Sequence, residues 1–236
     1  MKHGFLTFGF ACVLSSMASK TWSHSDADPI VSMVSFTQLE QSKTGDESAA
    51  VWNADAWIGK DYDKLWLKTN GEYAHGQRQD SSIEVLYSRA VATYWDIQTG
   101  WRGDFNGTEN RHWFVVGLQG LTPYFFETEL TFYVGEHGQT ALKIDTEYEL
   151  LFTQKLILSP EIEVSIHGRN DRLTGTGGGL SDIETGLRLR YEFTRKFAPY
   201  IGVNYHNEYG QTAEFSRDAG RDTETLSWLI GLRFWL

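Results

Sequence analysis

The sequence has little cysteine, proline or methionine: its 236 residues include one Cys, four Pro and three Met. The single cysteine, Cys12, lies in an apolar N-terminal segment, so we expect neither disulfides nor thiolate metal ligands in the mature chain. Beyond that segment no apolar run of 18 residues occurs, which excludes a helical membrane protein. Basic residues are also few. With 31 Asp and Glu against 21 Lys and Arg, the formal charge is −10, which excludes nucleic acid as a partner because it needs a basic surface.

The N-terminus is predicted to be a secretory signal peptide covering residues 1–23. Lys2 and His3 precede an apolar stretch over 5–14, and small residues follow, with cleavage sites after residue 18 or after residue 23. The stretch is too short to span a membrane as a helix. We expect a short periplasmic segment over 24–29 and one domain over 30–236, a length at which barrels do not divide.

The most frequent pattern in the chain is an alternation of uncharged and charged residues with a period of two, which predicts β-strands. In 63–73, for example, Leu65 and Leu67 share one face while Lys64 and Lys68 share the other. Similar segments predict twelve strands, near 30–40, 49–59, 63–73, 82–91, 94–103, 111–120, 124–135, 139–151, 155–168, 179–193, 197–207 and 223–236.

The predicted connections favour a membrane barrel. Those at 41–48, 74–81, 104–110, 169–178 and 208–222 are long, and most of those between them are short, as in outer-membrane barrels with tight periplasmic turns. A soluble closed barrel of this size would enclose a large empty apolar cavity. We therefore predict an all-β, transmembrane antiparallel β-barrel of about twelve strands in the bacterial outer membrane. Both termini would lie in the periplasm, and outer-membrane lipid would contact the uncharged face.

The charged face is then predicted to line the lumen. The acidic residues assigned inward are Asp55, Glu72, Glu84, Asp96, Glu127, Glu129, Asp145, Glu147, Glu149, Glu161, Glu163, Asp182, Glu184 and Glu192, and the basic ones are Lys68, Arg102, Lys143, Arg188, Arg190 and Arg233. Acids outnumber bases, which favours cations in a wet channel. Alternatively, acids and bases on neighbouring strands pair and plug the lumen. The sequence leaves both interpretations open.

From about residue 51 to its end, the chain resembles the copper resistance protein B family, outer-membrane proteins of bacterial copper tolerance. The matching stretches are VW at 51–52, DAWIG at 55–59, LWLKT at 65–69, GE at 71–72, LYSRA at 86–90, YWDIQ at 94–98, GLQGL at 117–121, PY at 123–124, EY at 147–148, LIL at 156–158, GLSD at 179–182, FAPYIGV at 197–203 and GLRFW at 231–235. The resemblance implies copper homeostasis, with copper ions bound or passed across the outer membrane and periplasmic copper-handling proteins as partners. The alternative is a general small-solute or cation pore without a dedicated metal site.

Candidate copper ligands are few and dispersed. Many members of the family carry a Met- and His-rich segment before the barrel, whereas here only His24 and, in the first strand, Met33 occupy that region. Thioethers select Cu(I) and imidazoles suit Cu(II). The other histidines lie at or beside different predicted outer loops, where they form a metal-binding vestibule or are merely solvated: His75, His112, His137, His167 and His206. A bound copper ion is not required for the fold.

No enzymatic motif is present. The sequence contains neither GxSxG nor HExxH, and the glycine-rich run at 175–179 is followed by neither Lys-Ser/Thr nor a helix, so it is a loop. Ser165 and His167 share a strand face, but their register points them into the lumen. We predict a protein that is not an enzyme.

Overall fold

The computed structural model describes residues 29–74, 77–105 and 110–236. Within these residues the chain forms twelve antiparallel strands: β1 (Val31–Thr44), β2 (Glu47–Gly59), β3 (Asp63–Ala74), β4 (Gln77–Ala92), β5 (Trp95–Phe105), β6 (Asn110–Thr122), β7 (Phe126–Gly135), β8 (Thr140–Glu147, continued by Leu150–Leu151), β9 (Leu156–His167), β10 (Gly179–Tyr191), β11 (Phe197–Glu208) and β12 (Glu224–Trp235). The predicted fold class is confirmed. The signal peptide and residues 24–28 of the short periplasmic segment lie outside the described residues, and both segments stay predictions.

The sheet closes on itself because its first and last strands pair. Each strand is hydrogen-bonded to the next along the chain, and β12 pairs with β1 in an antiparallel register that sets Glu40 opposite Gly231. A β-bulge in β1 shifts this register between Phe36 and Leu39. Closure leaves none of the twelve described strands at a sheet edge, which is what a membrane-spanning sheet requires.

The two faces of the wall differ as the alternation predicts. Large apolar side chains such as Leu65, Leu67 and Val85 are exposed on the outside, at 51%, 48% and 40%. Side chains at the alternate strand positions, such as Glu84 and Gln98, point inward and are only 5% and 1% exposed. An exposed apolar face would be unfavourable in water but is favourable against hydrocarbon.

Bulky aromatic rings on several strands lie against glycines of the neighbouring strand. Trp52 is paired with Gly71 and Trp95 with Gly120. A Cβ on Gly71 would stand 2.4 Å from the Trp52 ring, and one on Gly120 would stand 2.7 Å from the Trp95 ring. These glycines are therefore required for the rings to lie flat along the wall.

The connections differ most from prediction at the end of the barrel away from the termini, here called the loop end. The predicted long loops at 41–48 and 74–81 are wrong, because β1 and β2 run on to a turn at 45–46, β3 continues to Ala74 and β4 begins at Gln77. The end with the termini, here called the terminal end, has short turns throughout. The loop end carries two long loops, 168–178 and 209–223.

The second long loop contains a helix that the sequence did not predict, α1 (Gly210–Asp218). Its buried residues Thr212, Ala213 and Ser216 face the start of β10, where the Thr212 and Ser181 hydroxyls lie 2.9 Å apart. The Gly177 amide donates to Thr212 Oγ1 at 2.8 Å, so the helix also anchors the first long loop. Among the described helices, none is long and apolar enough to cross a membrane.

Candidate functional site

The lumen contains a band of carboxylates that lie opposite one another on adjacent strands. One row runs across β7, β8 and β9 through Glu129, Asp145 and Glu163 and continues to Glu184 on β10. The row below it, nearer the terminal end, is formed by Glu127, Glu147 and Glu161. Like charges directly opposite one another destabilise a sheet, so this band, here called the carboxylate ladder, requires compensating cations.

Part of that compensation comes from basic side chains of the lumen. Lys143 Nζ lies 2.9 Å from Glu163 and 3.6 Å from Asp145. Lys68 Nζ on β3 lies 2.8 Å from Glu129 on β7, across the barrel, and donates a hydrogen bond to Gln98 Oε1 at 3.4 Å. Because three strands separate β3 from β7, this ion pair crosses the interior and does not follow the wall.

A second connection crosses the lumen on the other side. Glu40 on β1 accepts hydrogen bonds from Arg188 Nε on β10 at 2.6 Å and from the Tyr200 hydroxyl on β11 at 2.8 Å. Arg188 also pairs with Glu161 of the ladder. The Glu40 side chain is only 3% exposed, so its charge depends on these partners.

At the terminal end, two arginines share the last carboxylates. Arg233 Nη1 lies 3.7 Å from both Glu147 and Glu149, and Arg190 lies 3.8 Å from Glu147. Arg190 also contacts Glu149 and donates to Ser159 at 2.8 Å. Glu127, by contrast, has no Lys or Arg within 4.0 Å among the described ion pairs, although it faces Glu147.

At the loop end, Asp171 fastens the loop 168–178 over the barrel. It pairs with Arg111 of β6, accepts from Gln139 Nε2 at 2.6 Å and from the Leu173 amide at 3.0 Å. Burial acts to raise the pKa of Asp171, but the hydrogen bond and charge of Arg111 and the backbone amides outweigh it, so the pKa is lowered.

Several of the residues that the sequence predicts to point inward have described contacts with other side chains of the lumen. Asp55 accepts from Ser35 at 2.7 Å, Asp96 lies 3.6 Å from Lys64, and Arg102 lies 2.8 Å from Glu84. Glu72 stands on the same face of β3 as Asn70 and Lys68. Asp182 lies opposite Glu208 of β11, and Glu184 lies opposite His206. Their role toward metal ions stays a prediction.

The predicted metal-ligating residues do not come together. His24 and His75 lie outside the described residues. His112 stacks on Trp101 at 5.6 Å on the outer wall, and His137 occupies an exposed turn. Of the described histidines, only His167 and His206 face the lumen at the loop end, where His206 Nδ1 lies 3.9 Å from Glu184. Met33 lines the cavity at the terminal end. In the part of the chain that the structure describes, no three His, Cys, Asp or Glu side chains are arranged to hold a metal ion.

Ser165 and His167 lie two residues apart on β9. Ser165 lies opposite Asp182 of β10, and Nδ1 of His167 is buried without a hydrogen-bond partner among the described atoms. A nucleophilic serine needs a base within hydrogen-bonding reach, and none of the described hydrogen bonds joins Ser165 to His167.

Several residues of the luminal network were not predicted. Glu40 was missed because the bulge in β1 changes which positions face inward. Asp104 accepts hydrogen bonds from Arg102 Nε at 2.6 Å and Trp113 Nε1 at 2.7 Å, although the sequence predicts a loop at this position. Tyr133 and Tyr200 carry no charge and fit equally well on either face of a barrel. Only the alternation in β5, extended by two residues, could have identified Asp104.

Sequence comparison with known proteins points to a single family. A family model described as the copper resistance protein B precursor matches residues 30–236. Copper resistance protein B of Escherichia coli is 40% identical over 203 residues, which cover 86% of this chain and 69% of that protein. A copper resistance protein B homolog of Pseudomonas syringae pv. tomato is 40% identical over 198 residues, covering 84% and 67%.

Solved structures with the same fold are outer-membrane barrels. The NanC porin aligns with a TM-score of 0.56 at 15% identity, covering 86% of this chain and 99% of its own. The KdgM porin gives 0.54 at 12%, covering 86% and 98%. A Salmonella typhi outer membrane phospholipase dimer with bound calcium gives 0.51 at 13%, covering 84% and 90%. At such low sequence identity, the similarity to these structures shows the fold alone. The predicted outer-membrane location is confirmed.

Proposed function

Because the chain belongs to the copper resistance protein B family, we propose that its barrel serves copper tolerance by binding copper ions in its lumen or passing them across the outer membrane. The family and its porin-like neighbours suggest a non-enzymatic role. Copper is the cargo in this proposal and takes no part in holding the fold together. Periplasmic copper-handling proteins would exchange the ion at the terminal end, which faces the periplasm in barrels with short turns there.

The observation that carries the proposal is the carboxylate ladder. Its residues Glu127, Glu147 and Glu161 line a cavity of about 620 Å³ at the terminal end, together with Glu129 and Asp145. The basic residues around this cavity are Lys68, Arg102, Lys143 and Arg233, fewer than the acids. An excess of fixed negative charge in a confined aqueous space attracts cations and repels anions.

The ligands suit weak, exchangeable binding. Carboxylate oxygens with one imidazole or thioether accept Cu(II) or Cu(I) less tightly than sites built of several imidazoles or sulfurs. His206 beside Glu184 at the loop end and Met33 beside the terminal cavity are the side chains that would add such a donor. A protein that hands an ion onward benefits from a site that releases it.

A copper-tolerance assay in a strain lacking the gene tests the proposal. Reintroduced wild-type protein should restore growth in copper, whereas Glu127→Gln/Glu147→Gln should restore much less, because both substitutions remove charge from the ladder. Glu136→Gln/Glu214→Gln is the matched control, since it removes the same charge from exposed positions near the loop end. Equal tolerance with the ladder variant, at equal barrel levels in the membrane, would contradict the proposal.

The alternative function is a general cation or small-solute pore. It predicts that copper tolerance does not depend on the ladder and that sugars or other small solutes pass through the protein. A liposome-swelling assay with neutral solutes separates the two functions. Swelling at the rate of a known porin would favour the general pore.

A further inference from the structure

The lumen is divided into two chambers along the barrel axis. One, of about 300 Å³, lies at the loop end, where Asp171 and Thr176 line it. The other is the cavity of about 620 Å³ at the terminal end, where Met33 is among its lining residues. Of all the residues that the structure describes, only Asn70 and Arg102 line both chambers. The partition between them is thus thin, and Arg102 lies within it.

The partition consists of ion pairs and packed aromatic rings. Lys68 Nζ lies 2.8 and 2.9 Å from the two carboxylate oxygens of Glu129. Arg102 Nη1 lies 2.8 Å from Glu84 Oε1, and its guanidinium lies 5.1 Å from the centre of the Tyr133 ring. Beside these pairs is a buried cluster formed by Leu86, Trp113, Val115 and Tyr133, with Trp66 and Ala141 packed against it.

The opposite side of the barrel is also filled. Arg188 spans from β10 to Glu40 on β1, and Tyr200 donates to the same carboxylate. Arg188, Tyr200 and Arg233 line a narrow cleft of about 40 Å³. Glu147 and Glu161 line both this cleft and the terminal chamber, so the chamber narrows on this side.

We infer that the barrel rests in a closed state, in which the Lys68–Glu129 and Arg102–Glu84 ion pairs and the Trp113–Tyr133 cluster form a septum between the two chambers. An ion crossing this septum would have to separate a partly buried ion pair, and each separated partner would then be an uncompensated charge away from bulk water. Passage therefore requires the septum side chains to move. The inference goes beyond the copper function, since closure holds for any ion.

Planar-bilayer recordings in potassium chloride, without copper, test the closed state. The wild-type barrel should show little or no steady conductance. Lys68→Ala/Glu129→Ala removes one pair without changing net charge and should raise the conductance at least tenfold. Asp63→Ala/Arg89→Ala is the matched control, because it removes an ion pair at 3.7 Å whose partners are 62% and 44% exposed at the terminal rim, and it should behave like the wild type. Steady conductance of the wild type, or no increase in the septum variant, would overturn the inference.

Thiol labelling of intact cells gives a second test that does not require refolding. The mature chain is expected to lack cysteine, so Thr174→Cys reports on the loop-end chamber and Thr37→Cys on the terminal chamber. A bulky reagent added outside should label Thr174→Cys and should label Thr37→Cys at least tenfold more slowly. Combining Thr37→Cys with the septum variant should remove that difference. Equal labelling rates at both positions in the wild-type background would show an open lumen and contradict the proposal. Because neither test uses copper, its failure is distinguishable from failure of the copper function.

Discussion

At the scale of single residues, the buried charges of the lumen are stable only when hydrogen-bond or ion-pair partners compensate them. Glu40 is the clearest case, because its 3%-exposed side chain receives hydrogen bonds from both Arg188 and Tyr200. Glu40→Ala leaves Glu161 as the one carboxylate partner of Arg188 among the described ion pairs, and it removes the acceptor of the Tyr200 hydroxyl. Removing one partner of a buried ion pair lowers the free energy of unfolding by about 3 kcal/mol. We expect a loss of that size in urea unfolding of the refolded barrel in lipid vesicles.

The control for this prediction is an exposed pair of the same chemistry. Arg89→Ala removes the Arg89–Asp63 ion pair, whose partners are 62% and 44% exposed, and should cost less than about 1 kcal/mol because water replaces the lost partner. Glu40→Gln keeps a hydrogen-bond acceptor, so its loss of unfolding free energy should lie between those of Glu40→Ala and Arg89→Ala. A Glu40→Ala variant as stable as Arg89→Ala would mean that the interior around Glu40 is well hydrated.

At the scale of elements, the sequence predicted the strands within the membrane well and their outer ends poorly. Alternation identifies a strand only where one face meets lipid and the other water. Residues 41–44 of β1 and 77–81 of β4 extend toward the loop end. Polar side chains suit both faces of a strand there, so the sequence predicts loops at these positions. The same reason explains the missed Asp104.

Two other features could not be read from the sequence. Helix α1 has nine residues, too few to be stable alone, and it is held by the small side chains Thr212, Ala213 and Ser216 instead of an apolar stripe. The Lys68–Glu129 and Arg188–Glu40 pairs join strands that are not neighbours. Such pairs depend on the closure and stagger of the whole barrel, which alternation within one strand does not encode.

The loop 168–178 should respond to pH through Asp171. Its lowered pKa means that the charged form is favoured by folding, so its stabilising contribution is complete above the unfolded pKa, near 4, and is lost as pH falls through the lower folded value. We expect amide-exchange protection of this loop to be steady from pH 7 to about pH 5 and to fall below about pH 4. Asp171→Asn should lower protection roughly tenfold at pH 7, since a charge-assisted hydrogen bond is lost.

Asp218→Asn serves as the control for the loop, because Asp218 is an exposed residue at the end of α1. It should leave the protection of 168–178 unchanged at every pH. If Asp171→Asn and Asp218→Asn gave the same exchange profile, the Arg111–Asp171 contact would not be what holds the loop.

At the scale of the whole molecule, the charge of −10 is distributed so that an excess of carboxylates lines the terminal chamber. A cation that binds the folded barrel and not the unfolded chain must stabilise it, by about 2.7 kcal/mol at one hundred times its dissociation constant. We expect copper ions to raise the urea midpoint of the wild type, with reversal by a chelator, and to raise it much less in Glu127→Gln/Glu147→Gln. Calcium separates the contributions of charge and ligand type. An equal effect of calcium would mean that the carboxylates act as fixed charge alone, whereas a larger effect of copper would mean that the side chains of the lumen coordinate the ion directly. No shift with either ion would contradict a cation-binding lumen.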